Sequence, residues 1–265
     1  MIIYKTPSEI ELIRQSCLLV SSTLAKVAES LKPGMNGLEL DQIAEEHIRN
    51  NGGVPGFKNY NGFPNTLCIS VNSCVVHGIP SDKPFESSDI VSVDCGVFMN
   101  GYFGDAAYTF AFNDVTSDVE RLLLNTKKSL ALGIAQAVEG NRLGDIGYAI
   151  QNYTERECNY GVVRELVGHG LGQNLHEAPE VPNYGSRGRG VKLKSGLVIA
   201  IEPMINLGTR KVKQDKDGWS VLTKDGKASA HFEHTLAVGS KGADVLSDHN
   251  IIELAIKNNI NIKDI

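Results

Sequence analysis

From residue 10 to residue 24 the apolar positions Ile10, Ile13, Cys17, Val20 and Leu24 recur at three- and four-residue spacing, the period of one face of an α-helix. Thr6-Pro7-Ser8-Glu9 opens that helix as a capping box with proline at the first helical position, and Pro33-Gly34 ends it. A second helix is predicted from about Leu38, with Ile43, Ala44 and Ile48 inward, stopping at Gly52-Gly53. After a loop rich in Gly, Asn and aromatics (55–64), short apolar runs predict strands over 66–71 and 75–80. Ile90, Val91 and Val93 then lead into Asn100-Gly101, a dipeptide suited to a type I′ turn, and Tyr108-Thr109-Phe110 leads out, which predicts a hairpin.

The order restarts at Ser117-Asp118-Val119-Glu120, read as another capping box, before a helix with Leu122, Leu123, Leu130 and Ile134 inward. A shorter helix is predicted around Ile146, Ile150 and Tyr153, then strands over 165–167, 197–202 and 231–238. Both halves read helix, helix, strands. Their capping boxes start 111 residues apart, at 6 and 117, and the acids Asp94 and Glu202 lie 108 apart. This predicts an internal duplication inside one domain, 1–265, with two related halves dividing near 112–116. The Asn-rich segment 258–261 reads as a frayed end.

Chemistry enters at the hairpin. With its turn at Asn100-Gly101, Gly96 faces Asp105, and Asp94 shares the face of Gly96, so the two carboxylates are diagonal neighbours at roughly 7 Å between Cβ atoms. Like charges at that range on a half-buried sheet call for a cation between them. Alone, an Asp beside a Gly near a tight turn is more often turn chemistry, so the rest of the chain has to decide. Glu202 ends the apolar run 197–201 and precedes Pro203, which places a carboxylate at the buried end of a strand. A buried ion pair is the plain alternative there. Glu233 repeats the situation, with His231 and Thr235 predicted on its face. His169 and His176 sit in the glycine-rich stretch 167–177. Taken as a set, Asp94, Asp105, His169, Glu202 and Glu233 offer many carboxylates and one imidazole, a mix suited to a pair of oxygen-loving divalent ions. His77 and His176 are left as acid/base or hydrogen-bonding groups.

Composition narrows the class. A chain of 265 residues with 42% apolar content can bury a large core, and a net charge of −5 with a pI near 5.8 provides no dominant basic surface, so nucleic acid is not the expected substrate. The start lacks a signal-peptide pattern, no segment reaches membrane-spanning length, and five scattered cysteines without a CxxC pair suit reduced thiols, so a cytoplasmic, membrane-free protein is expected.

Seven motifs in order give a resemblance: Val76-His77-Gly78-Ile79-Pro80, Val93-Asp94-Cys95-Gly96, Gly104-Asp105, Gly168-His169-Gly170-Leu171-Gly172, Leu175-His176-Glu177, Ile201-Glu202-Pro203-Met204 and Phe232-Glu233-His234-Thr235. Together they resemble the type I methionine aminopeptidases. Only 31 residues separate Glu202 from Glu233, too few for the helical insertion of type II enzymes, and no amino-terminal zinc-binding extension precedes the first helix, which is the bacterial pattern. The resemblance implies an α/β pita-bread fold, pseudo-symmetric, with a central curved antiparallel sheet covered by helices. It implies a hydrolase that removes the initiator methionine from nascent proteins and peptides when the second residue is small. Asp94, Asp105, His169, Glu202 and Glu233 would hold two divalent cations (Co, Mn, Fe, Zn or Ni). Glu202 would shuttle the proton, His176 would stabilise the oxyanion, and His77 would bond the amide nitrogen beyond the cut. Tyr60, Phe63, Cys68 and Trp219 would form the methionine pocket. A monomer is expected, with the ribosome as a candidate contact. Leu175, Phe57 and Val76 depart from the family pattern, and Phe57 reads as ordinary core. The rival readings are a prolyl aminopeptidase or prolidase on the same fold, and a pita-bread binding protein without catalysis.

Overall fold

The computed structural model describes residues 1–265. Its helices are α1 (Pro7–Ser30), α2 (Gly37–Asn50), α3 (Ser117–Ile134), α4 (Leu143–Gln151) and α5 (His249–Asn258). The Thr6 hydroxyl accepts from the Glu9 amide while the Glu9 carboxylate accepts from the Thr6 amide at 2.8 Å, so the predicted capping box satisfies two orphan donors of α1. α1 buries Ile13, Cys17, Val20 and Leu24. A second box caps α2, where Asn36 pairs with Glu39. On α3 the cap is Thr116, one residue before the predicted Ser117, because its hydroxyl reaches the Val119 amide at 3.4 Å. Glu120 turns away from the helix start and pairs with Lys263 instead.

The hairpin is the centre of the first half. Strands Ile90–Met99 and Tyr102–Ala111 pair from Ile90↔Ala111 to Met99↔Tyr102, with Gly96 opposite Asp105. Asn100 (φ 54°) and Gly101 (φ 84°) take the left-handed conformations that a type I′ turn requires. Leu67–Val71 and the short Val54–Pro55 pair along the other edge of Ile90–Met99, completing a four-stranded antiparallel sheet. α1 lies against the hairpin so closely that a Cβ on Gly104 would stand 2.4 Å from the Cys17 backbone nitrogen.

A five-stranded antiparallel sheet forms the second half, in the order Ala243–Val245, His234–Val238, Val198–Ile201, Gly168–Gly170, Glu177–Val181. The two sheets are joined where the hairpin meets the start of His234–Val238: the Glu233 amide donates to Ala107 O at 3.0 Å and the Thr235 hydroxyl to Asp105 O at 2.8 Å. One apolar core of 45 buried residues runs through both halves.

The predicted strand 231–238 differs in a way that matters, while the predicted 197–202 ends beside Glu202 as expected. The run 231–238 is two strands, Ser229–His231 and His234–Val238, and its partner run is likewise Val198–Ile201 and Met204–Asn206. The outer pieces pair in a separate three-stranded sheet with Gly161–Val162. The chain therefore leaves one sheet and enters another at Glu202-Pro203 and at Phe232-Glu233, side by side. Strict alternation does not cross this break, so the prediction that His231, Glu233 and Thr235 share one strand face does not hold. Residues 165–167 form no strand; pairing occurs on either side, at 161–162 and 168–170. Segment 258–261 is not frayed: the Asn259 amide donates to Ala28 O and Leu31 O at 2.7 and 2.8 Å, and Lys263 N donates to Ala111 O.

Candidate metal centre and substrate pocket

All eleven candidate residues line one cavity of about 280 Å³: Asp94, Asp105, His169, Glu202 and Glu233; His77 and His176; Tyr60, Phe63, Cys68 and Trp219. Each arrives from a different device. Asp94 and Asp105 come from the two hairpin strands, His169 from the middle of Gly168–Gly170, and Glu202 and Glu233 from the paired breaks between sheets. A strand that continued through Glu202 would turn its neighbours by alternation; the Pro203 break frees the carboxylate to point into the cavity.

The polar end is acid-rich and almost without cations. His169 Nε2 lies 3.8 Å from Asp105 Oδ2 and 3.7 Å from Glu202 Oε1. One ligand atom each from Asp105, His169 and Glu233 falls within 4.8 Å of the others. His169 Nδ1 is 3.0 Å from Gly170 O, so that nitrogen carries the proton and Nε2 presents a lone pair to the carboxylates. Burial, and the neighbouring His176, hold His169 at about 4, so it is neutral at physiological pH. Burial pushes Asp94 up to about 7, and drives Asp105, Glu202 and Glu233 well above the ordinary carboxylate range with their mutual repulsion adding to it. Asp94 Oδ1, Asp105 Oδ1 and Glu233 Oε1 are sealed from solvent without a hydrogen-bond partner. Buried carboxylate oxygens left unpaired around a neutral imidazole are costly unless a cation bonds them. The donor set thus fits divalent metal, with oxygen ligands prevailing over nitrogen.

The other end is apolar. Phe57, Phe63, Cys68 and Leu175 pack together with Tyr60 and Trp219 at the edge. Phe63 meets Trp219 edge to face, with centroids 5.2 Å apart. Phe57 belongs to this wall as well as to the core: a Cβ on Gly96 would come within 2.4 Å of its ring, so the hairpin glycine makes room for it. At the rim, Tyr60 OH and His176 Nδ1 are 2.9 Å apart, and the His169 and His176 rings lie at 4.3 Å. His77 has φ 59°, a left-handed turn that lets Gly78 fold tightly over Ile69.

Two contributors were not on the list drawn from sequence. His231 is buried with Nε2 unpaired, 3.8 Å from Glu202 Oε2, and burial lowers it to about 3. Asn183 donates from Nδ2 to Glu202 O at 3.0 Å, holding the break in place. Alternation with Glu233 was the signal for His231, though it set that residue beside Glu233 and not Glu202; Asn183 lies in an irregular segment and had none.

Residues 11–240 match metallopeptidase family M24, to which the chain belongs, and the carboxylate-rich cluster at the floor of the cavity suits that class. Within that family it belongs to the methionine aminopeptidases, with the pita-bread fold. It is 47% identical to methionine aminopeptidase 1 of Bacillus subtilis over 93% of this chain and 99% of that protein, and 47% identical to the methionine aminopeptidase of Clostridium acetobutylicum over the same shares. The crystal structure of methionine aminopeptidase from Rickettsia prowazekii superposes with a TM-score of 0.92 at 38% identity, covering 94% of this chain and 100% of that one. A prolidase from Pyrococcus horikoshii superposes at 0.76 and 22% identity over 93% of this chain and 63% of that chain, a likeness of fold alone.

Proposed function

We propose that this metallopeptidase removes the amino-terminal methionine of peptides and nascent proteins whose second residue is small, using two divalent cations held by Asp94, Asp105, His169, Glu202 and Glu233. The observation that carries this reading is the junction of two unlike surfaces in one cavity, unpaired buried carboxylates at one end and an aromatic and thiol wall at the other. Bound there, divalent cations (Co, Mn, Fe, Zn or Ni) lower the pKa of water and polarise a carbonyl. The free α-amine of the substrate would be received by the cation held by Asp94 and Asp105, which restricts cleavage to a chain end. Glu202 takes the proton of the attacking water on a carboxylate oxygen and returns it to the departing amine. His176, oriented by Tyr60, donates to the oxyanion, and His77 bonds the amide nitrogen beyond the cut.

An unbranched thioether suits the slot between Phe57, Phe63, Cys68 and Trp219, being long, flexible and polarizable. The second residue lies under His77 and His176, where the folded-over backbone leaves little depth. This reading includes two related halves dividing near 112–116, and a cytoplasmic monomer acting on chains as they emerge from the ribosome. No helix is long and apolar enough to cross a membrane, which is compatible with it. The test is a peptide panel with each cation restored to stripped protein, read by mass spectrometry. Met-Ala-Ser is expected to be cut and norleucine peptides more slowly, since one or two methylenes are worth about 1–3 kcal/mol, while Met-Lys and Met-Leu stay intact. Equal release of Leu and Met, or preference for Gly-Pro, refutes it.

A further inference from the structure

Lys5 is a charged residue in a segment that reads, in sequence, only as the lead-in to a helix. In the fold its ammonium is buried against Glu177 at 2.5 Å, across 172 residues, with side-chain exposures of 3% and 5%. Full desolvation of a lysine and a glutamate is tolerated only when both stay paired and the remaining valences are met. They are met here: Lys5 Nζ also donates to Ile3 O at 3.2 Å, and Glu177 Oε1 accepts from the Asn174 amide at 3.2 Å. The backbone around Lys5 is pinned independently, since its amide donates to Gly196 O at 2.7 Å. Gly172 is the residue that leaves space for the pair, because a Cβ there would stand 2.5 Å from Lys5 Cε and 2.8 Å from Glu177 Oε1.

What the pair holds is the loop between strands Gly168–Gly170 and Glu177–Val181. That loop carries Leu175, part of the apolar wall, and His176 at the rim. At its start, Leu171 N donates to Val198 O at 3.3 Å and Phe103 N donates to Gly172 O at 2.8 Å, tying it to the second sheet and to the hairpin that bears Asp105. At its end the next residue after His176 is Glu177. The side chain of His176 is guided by Tyr60; between Gly172 and Glu177 no backbone amide of the loop is bonded to the sheets, although the Leu175 carbonyl meets the His169 ring and the Gln173 side chain meets Tyr102. The Glu177 backbone rejoins the sheet opposite Gly170, and its ion pair with Lys5 is the salt bridge nearest to His176 along the chain.

We propose that Lys5 and Glu177 are positioning residues for His176, so that the segment before α1 takes part in catalysis without touching the substrate. The inference rests on the role given above to His176 as oxyanion donor. An oxyanion contact is made in the transition state, so displacing the donor lowers kcat and leaves KM nearly unchanged. None of the five metal-binding candidates is bonded to Lys5 or Glu177; His169 is touched by Leu175 of the same loop, so Mn²⁺ affinity separates a shift of His176 from a shift of His169.

The experiment uses Lys5→Met, the nearly isosteric Glu177→Gln, and Lys5→Arg, each alone and in a His176→Ala background, with steady-state cleavage of Met-Ala-Ser at saturating Mn²⁺ and calorimetric Mn²⁺ titration. Glu177→Gln keeps the Asn174 contact and serves where Lys5→Met fails to fold. Expected are a kcat loss of about 10- to 100-fold for Lys5→Met or Glu177→Gln, KM within about threefold, unchanged Mn²⁺ affinity, and partial rescue by Lys5→Arg. With His176→Ala already in place, either substitution should add almost no further loss. A melting temperature that falls while kcat stays at the wild-type value reduces the pair to a structural staple and overturns the proposal, as do losses that simply multiply with that of His176→Ala. If His176→Ala itself retains full kcat, the role of His176 fails and the positioning role fails with it, an outcome separate from multiplicative losses.

Discussion

Loading the centre with cations should release protons. Asp94 moves from its ordinary 3.8 to about 7 through burial, and Asp105, Glu202 and Glu233 are displaced upward by burial and by one another. A carboxyl that titrates near 7 is protonated in about nine molecules of ten at pH 6. A cation must expel that proton, so apparent affinity should fall about tenfold, or about 1.4 kcal/mol, for each pH unit below 7 from this group alone. Asp94 is half-buried, with Oδ1 sealed and the cavity side open, so water screens part of the effect and moves the window downward. His169 and His231, held at about 4 and about 3, carry no competing proton above pH 5. The same linkage sets the sign for stability: the cation-free native state keeps carboxyl protons that the unfolded chain has lost, so the stability Asp94 contributes is full below about 4 and is lost as pH rises through about 7, and the other three carboxyls act in the same direction. The assay is calorimetric titration of stripped protein with Mn²⁺ between pH 5.5 and 7.5, in pairs of buffers with different ionisation heats. At least one proton released per protein at pH 6 is expected, with affinity rising steeply with pH. Affinity that is flat across this range, without proton release, refutes the account of the buried carboxylates.

Glu202→Gln should remove turnover while the protein stays folded, because the amide accepts no proton; near-normal rates at saturating cation would exclude Glu202 as the base. Gly104→Ala should destabilise by about 1–3 kcal/mol, since its Cβ would meet the α1 backbone at Cys17 N (2.4 Å) and Ser16 C (2.5 Å) and neither can retreat; a denaturant midpoint equal to wild type contradicts this packing. Thr6→Ala should cost about 1 kcal/mol by removing one arm of the α1 capping box, with catalysis intact in thermal and kinetic comparison.

Local signals carried far along this chain. The hairpin register follows from Asn100-Gly101 and side-chain alternation, which place Gly96 opposite Asp105 before any fold is known. The helices of both halves follow from apolar period and caps, and the candidate cation-binding side chains from the physics of buried carboxylates, while the order of the motifs reached the family. These are properties of neighbours within a few residues, where backbone geometry alone dictates proximity. Tertiary structure decided what depends on partners far away in sequence. Glu202 reads as the end of a strand and Glu233 as a residue within one; both occupy breaks because each run pairs with one sheet before the acid and another after it. Phe57 reads as core and is also pocket wall, which depends on the space left by Gly96. His231 and Asn183 gain their place behind Glu202, and Lys5 its buried partner, only when distant segments close upon one another, since burial and charge pairing are set by packing across the fold.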